Sequence, residues 1–210
     1  MDHRYKINAK CILNPFDFKK IDKSSKVKVK KIFKRKSIKL ISVGRLTKQK
    51  DFLTILKAIK LIETKDIELV IIGKGEEENN LKKYILKNNL VNKIRLLGYK
   101  SNPFPYVKQA DIFVLSSIFE GSPNVLVEAL FLKKYIVSTD CHTGPKEILK
   151  NGKYGHLVKV GDSEGIAKAI INYKKNNYLK KKINNGFKSL NIYSYKKNTK
   201  KYYELISKYL

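Results

Sequence analysis

Two short runs place side chains of the right types and spacing to recognise anions and hydroxyls. In Gly44-Arg45-Leu46-Thr47-Lys48-Gln49-Lys50, two cations stand five residues apart behind a glycine that permits a sharp turn. With the amides of a following helix start, Arg45 and Lys50 can converge on a phosphate. Arg45 is the more informative of the two, because only four of the 46 basic residues are Arg. In Glu120-Gly121-Ser122-Pro123-Asn124-Val125-Leu126-Val127-Glu128, two carboxylates bracket a helix N-terminus. A carboxylate that accepts from vicinal hydroxyls holds a ribose or a hexose, and the helix start between the two acids suits a phosphate. The plainer readings are a solvated basic loop and a Glu120 stabilised only by the helix dipole.

Other reactive side chains lack partners. Cys141 and His142 are adjacent, yet no base, orienting acid or oxyanion motif accompanies them, and a free Cys usually behaves as a small buried hydrophobe. His3 and His156 stand alone, so no metal site is expected. Gly73-Lys74-Gly75 lacks the third glycine of a dinucleotide fingerprint, whose place is taken by Glu78; a tight turn accounts for it.

Loops of this kind need strands and helices behind them. Short β-branched runs are predicted as strands at 38–44, 68–73, 93–98, 111–117, 135–139 and 155–160. Helical spacing between them, as in Phe52, Leu53, Ile55, Leu56, Ile59 and Ile62, predicts helices near 52–62, 76–88, 103 onward, 124–132, 144–150 and 163–173. Ser122 and Pro123 read as the N-cap and first turn of the helix at 124–132. Apolar strands joined by helices require a parallel sheet covered on both faces, so the fold class is α/β, a doubly wound Rossmann-like sheet. The expected organisation is a basic, linker-like segment at 1–37, a Rossmann-like domain at 38–176 and C-terminal helices at 177–210. Residues 18–37 suit a linker or exposed helix better than core. Tyr193, Tyr195, Tyr202, Tyr203, Leu205, Ile206 and Tyr209 give the last helix an apolar surface.

The formal charge is +28 over 210 residues, and it is uneven: +11 over 1–40, +7 over 41–170 and +10 over 171–210. The excess is almost all Lys, which fits an AT-rich coding genome better than base recognition, and no nucleic-acid-reading motif is present. Specific nucleic-acid binding is therefore not expected. The Lys-rich flanks suit an anionic membrane surface instead. Two cysteines make no disulfide framework, no signal-peptide h-region opens the chain, and no run approaches the ~18 apolar residues of a membrane span. The expected location is the cytoplasm, with the inner face of the cell membrane as a peripheral site.

Five runs, ISVGRLTKQKDF, LVIIGKGEEENNL, RLLGY, ADIFVLSSIFEGSPNVLVEAL and STDCHTGPKEIL, occur in an order and spacing that resembles the C-terminal domain of family 4 glycosyltransferases of GT-B type. The resemblance extends from about Asn14, where Asn14-Pro15-Phe16-Asp17 looks like the start of that family's interdomain linker, to the C-terminus. It implies a nucleotide-sugar donor, with a UDP-sugar favoured over a GDP-sugar, retention of anomeric configuration, and no metal or other cofactor. Position by position, it assigns Arg45 and Lys50 to the donor diphosphate, Glu120 to the donor sugar and Glu128 to the ribose hydroxyls. It also places Gly44, Gly121, Asn124 and Val125 where backbone approaches sugar and phosphate, and Leu97 and Gly98 beside the base. The implied products are cell-envelope glycans or lipid-linked oligosaccharides. The family's N-terminal, acceptor-binding domain has no counterpart here, so a separately encoded N-terminal domain is an expected partner. A non-catalytic nucleotide-sugar-binding fragment is the alternative.

Overall fold

The computed structural model describes residues 10–34, 37–63, 67–173 and 177–208. His3, Arg4, Arg35 and Tyr209 fall outside them.

Six parallel strands, β1 (Ile38–Val43), β2 (Ile67–Ile72), β3 (Ile94–Leu96), β4 (Ile112–Leu115), β5 (Tyr135–Thr139) and β6 (His156–Val158), form one sheet in the order β3-β2-β1-β4-β5-β6. All residues of β2, β4 and β5 are buried, which is why they read as unbroken apolar runs: a parallel sheet is covered on both faces. Register alternates the two faces, with Leu40 beside Leu69 and Ile112, and Ile41 beside Val70 and Phe113.

Helices α2 (Phe52–Leu61), α3 (Glu78–Lys87) and α7 (Ser163–Ile171) cover the face of Leu40, Leu69 and Ile112. The opposite face, with Ile41, Val70 and Phe113, lies under α4 (Phe104–Gln109), α5 (Asn124–Phe131) and α6 (Pro145–Ile148). Each fully buried aliphatic side chain in these layers contributes about 1.5–3 kcal/mol. The chain order reverses direction between β1 and β4, so the loops after these strands flank the crevice where doubly wound folds bind ligands.

The basic segment before β1 is less of a linker than its composition predicts. Helix α1 (Phe18–Ser25) starts at Asp17, whose carboxylate accepts from the Lys20 amide, and buries Ile21 and Ser25 against α4. Beyond it Ile32 and Phe33 are buried, and Gln109 Oε1 accepts from the Ile32 amide at 3.0 Å. Arg95 donates to the Ile32 carbonyl and, at 3.1 Å, to the buried carboxylate of Glu68, which also accepts from the Lys34 amide and Ser37 Oγ. The lysines conceal a stripe of apolar side chains, and it is this stripe that docks.

Chain entry and exit run side by side. The Phe16 amide donates to the Tyr193 carbonyl at 2.9 Å, and Phe16 bridges Ser194 in parallel. An aromatic series, Phe16, Phe18, Phe131 and Phe187, with centroids 4.8–5.9 Å apart, links this entry to α5 and to α8 (Asn177–Lys188). Tyr193 lies in a 3-10 turn and is buried, whereas α9 (Tyr195–Ile206) buries only Asn198 and leaves Tyr195, Tyr202, Tyr203 and Ile206 exposed. Among the described residues no helix is long and apolar enough to cross a membrane.

Candidate functional site

At the C-terminal edge of the sheet, the loops are fastened in pairs. The amide of Gly44 donates to the Ile72 carbonyl, that of Leu46 to Lys74, and that of Glu77 back to Leu46, which binds the loop after β1 to the loop after β2. Gly73 and Gly75 make this possible: a Cβ on Gly73 would lie 1.8 Å from the Gly44 oxygen, and one on Gly75 would lie 2.3 Å from the Leu46 oxygen. The Gly-Lys-Gly run is therefore spent on backbone approach, as its failure to complete a dinucleotide fingerprint implies. On the other side of the crevice Gly144, at φ +89°, packs against Gly121 and Pro123, and Thr143 Oγ1 donates to the Glu120 carbonyl. The two pairs of loops meet where the Ile118 amide donates to the Gln49 carbonyl at 2.8 Å.

Across this seam Lys50 Nζ lies 2.5 Å from Glu120 Oε1, with side chains only 17% and 8% exposed. Ser117 Oγ donates to the same carboxylate oxygen at 2.6 Å. Two residues 70 apart in sequence are thus joined in one largely desolvated ion pair.

Beside the pair lies a cavity of about 300 Å³ lined by Val43, Gly44, Arg45, Ile72, Gly73, Lys74, Tyr99, Lys100, Pro103, Val125 and Glu128. It has apolar walls with cations at Arg45, Lys74 and Lys100 and one acid, Glu128. Arg45 is exposed and has no ion-pair partner among the described residues. The carboxylate of Glu128 likewise finds no donor among them, and burial alone pushes its pKa up from 4.5 to about 6. A half-buried acid without a donor, facing a cationic cleft, suits hydroxyl groups of a ligand.

The helix termini divide unequally. The Asp51 carboxylate caps α2, accepting from the Thr54 amide and, at 2.6 Å, from Thr54 Oγ1. The expectation that the first turn of α2 lends its amides to an anion beside Arg45 and Lys50 meets this cap instead. No side chain caps α5: Pro123, not Ser122, takes the N-cap position, and its extended backbone lacks a donor-accepting side chain. The first N–H groups of α5 therefore have no side-chain acceptor, and they carry the positive end of the helix dipole.

Of the residues singled out by sequence, Gly44, Arg45, Val125 and Glu128 line the cavity, and Lys50 with Glu120 forms the adjoining pair. Leu97 and Gly98 do not line the cavity; the Leu97 amide donates to Ile71 and the Gly98 carbonyl accepts from Gly73, one of its lining residues. Gly121 is exposed on the loop between the two acids, and Asn124 at the start of α5 accepts from Asn14 Nδ2 at 2.8 Å. The structure adds Lys74, Tyr99 and Lys100 to the cavity lining and Ser117 to the partners of Glu120, none of which the sequence singled out. Tyr99 closes the quoted RLLGY run and Lys100 directly follows it, and their position just after a strand at the ligand edge was the available signal. Cys141 is buried, and desolvation, with the Glu120 charge nearby, pushes its thiol up, so it is no activated nucleophile. Among the described residues no three His, Cys, Asp or Glu side chains gather at one point.

Comparison with known proteins bears on this arrangement. An uncharacterized glycosyltransferase of Methanocaldococcus jannaschii is 37% identical over 172 residues, 73% of this chain and 42% of its own length. The N-acetylgalactosamine-N,N'-diacetylbacillosaminyl-diphospho-undecaprenol 4-alpha-N-acetylgalactosaminyltransferase of Campylobacter jejuni is 33% identical over 150 residues, 71% of this chain and 41% of its own length. The chain thus spans about two fifths of the length of these curated relatives. In structure it is similar to HepE of Anabaena, solved in complex with UDP-glucose, with a TM-score of 0.81 and 19% identity over 95% of this chain and 57% of that one. That likeness identifies the sheet and its C-terminal helices as the Rossmann-like fold of GT-B proteins. The sequence model of the glycosyl transferases group 1 matches residues 23–189, from within α1 through all six strands to the end of α8. With the site loops inside that span, the chain belongs to the glycosyl transferases group 1 family.

Proposed function

We propose that this chain is the donor-binding part of a retaining, metal-independent family 4 glycosyltransferase. It transfers a hexose or N-acetylhexosamine from a UDP-sugar, or less favourably a GDP-sugar, to a cell-envelope glycan or lipid-linked oligosaccharide, together with an N-terminal acceptor-binding domain. The observation that carries the reading is the cavity at the crevice, lined by both Arg45 and the unpartnered Glu128 beside the Lys50–Glu120 pair. The Campylobacter relative, named for transferring N-acetylgalactosamine to a diphospho-undecaprenol-linked sugar, supports the acceptor class, and UDP-glucose in Anabaena HepE supports the donor class.

In this reading Glu128 accepts from the ribose hydroxyls while Val43, Ile72 and Tyr99 flank the nucleoside. Arg45, Lys50 and the start of α5 hold the diphosphate. As the bond from the anomeric carbon to the phosphate oxygen breaks, its electron pair moves to the diphosphate, and the cations offset the growing charge. Glu120 positions the sugar through its hydroxyls.

Titration calorimetry with UDP, UDP-glucose, UDP-N-acetylglucosamine and GDP-mannose tests the reading. At least one is expected to bind below millimolar concentration, with Arg45→Ala weakening it about tenfold or more. Absence of binding by all four at millimolar concentration overturns the reading.

A further inference from the structure

Five buried hydroxyls lie on β1, β4 and β5 and the residues directly after them. Ser42 donates to the Val114 carbonyl, Ser116 to Lys50, Ser138 to Thr139, and Thr139 to Ser117. Each satisfies a backbone oxygen. Ser117, wholly buried at the end of β4, departs from this pattern by donating to the carboxylate of Glu120. Its own carbonyl is held by Thr139 Oγ1 at 2.7 Å, so the hydroxyl is presented from a fixed backbone.

Lys50 and Ser117 both bond Glu120 Oε1, which leaves Oε2 without a partner among the described residues. In the donor-site reading Lys50 also serves the diphosphate, which draws its ammonium away from Glu120. A carboxylate only 8% exposed would then lose its cation while still withheld from bulk water, a costly state unless a donor remains. The Ser117 hydroxyl is that donor. We propose, resting on the donor-site reading above, that Ser117 is a positioning residue for the donor sugar: it keeps Glu120 Oε1 anchored when Lys50 transfers to the diphosphate, so that Oε2 stays available to a sugar hydroxyl. Thr139 is the support behind it.

This role touches the sugar and not the nucleotide, and the test separates the two. Titration calorimetry on the full chain compares UDP with UDP-glucose and UDP-N-acetylglucosamine, and GDP with GDP-mannose. In Ser117→Ala the nucleotide-sugar Kd rises about tenfold while the free nucleotide Kd stays within about twofold. Ser117→Thr, which keeps the hydroxyl, restores the ratio. In a Glu120→Gln background Ser117→Ala has no further effect, a result that holds the proposal testable even where the Thr side chain does not fit. An unchanged ratio, equal weakening of nucleotide and nucleotide-sugar, or full additivity with Glu120→Gln overturns the inference while leaving the donor site standing. Wild-type protein that binds no nucleotide and no nucleotide-sugar overturns the donor-site reading, and this inference with it.

Discussion

Glu120 and Glu128 are neighbours in the chain with opposite surroundings. Glu120 meets an ammonium at 2.5 Å and a hydroxyl at 2.6 Å and is almost wholly covered. Glu128, one helix turn and a loop further on, is also largely desolvated but meets no donor, and its pKa has risen to about 6. The first acid is organised by the protein before any ligand arrives. The second carries an uncompensated desolvation that hydroxyl groups of a ligand would relieve. In the proposed donor-site reading, one half of the site serves position and the other affinity.

The largest expected effect tests the first half. Lys50→Ala leaves Glu120 covered with only Ser117 to oppose its charge, and should cost about 3 kcal/mol of stability by urea denaturation. Lys50→Met combined with Glu120→Gln, which removes both charges, should return to within about 1 kcal/mol of wild type. A single variant as stable as wild type would erase the contrast between the two acids.

Next is Glu128→Gln, with the opposite sign. Carrying the carboxyl from 4.5 to about 6 on folding corresponds to about 2 kcal/mol. A raised folded value means that the stability held with Glu128 protonated is fully present below about pH 4.5 and is lost as the pH climbs through 6. Glu128→Gln should therefore stabilise the ligand-free protein by about 2 kcal/mol at pH 7 and by nothing near pH 4. Because ribose hydroxyls need a carboxylate acceptor, affinity for UDP-glucose should fall as the pH drops below about 6 in wild type and stay flat in the variant. Denaturation at the two pH values and calorimetry across them measure both effects. The smallest effect sharpens the boundary between the acids: Ser122→Ala, on the loop joining them, should change stability by less than about 0.5 kcal/mol, since Ser122 caps nothing.

Much of this was legible in the residues, and the exceptions have a common cause. The six strands announced themselves because both faces of a parallel strand are apolar, and runs such as ELVIIG and DIFVLSS admit little else. That Arg45, Lys50, Glu120 and Glu128 gather at one edge of the sheet was legible because the loops after parallel strands fall at a fixed edge of such a sheet. What could not be read depended on a partner distant in sequence. Ile21, Ile32 and Phe33 sit among lysines, and only the docking of α1 on α4 and the Arg95–Glu68 contact show which side of that segment turns inward. Ser122 has the composition of a cap, yet Gly144 and Thr143 from the loop after β5 set the path of the neighbouring backbone. Ser117 is one small polar residue beside another, and its distinction lies wholly in which oxygen it faces.

The paired crossing of Phe16 and Ser194 has a mechanical side. Ser194, at the start of α9, is tied to Phe16 by the bridge, and two residues before Phe16 the side-chain amide of Asn14 donates to Asn124 at the head of α5. Helix α9, which buries only Asn198, and the start of α5 are thus joined through one short run of chain. In the proposed donor-site reading, the helix start that meets the diphosphate is thereby tied to the segment by which the chain leaves the domain.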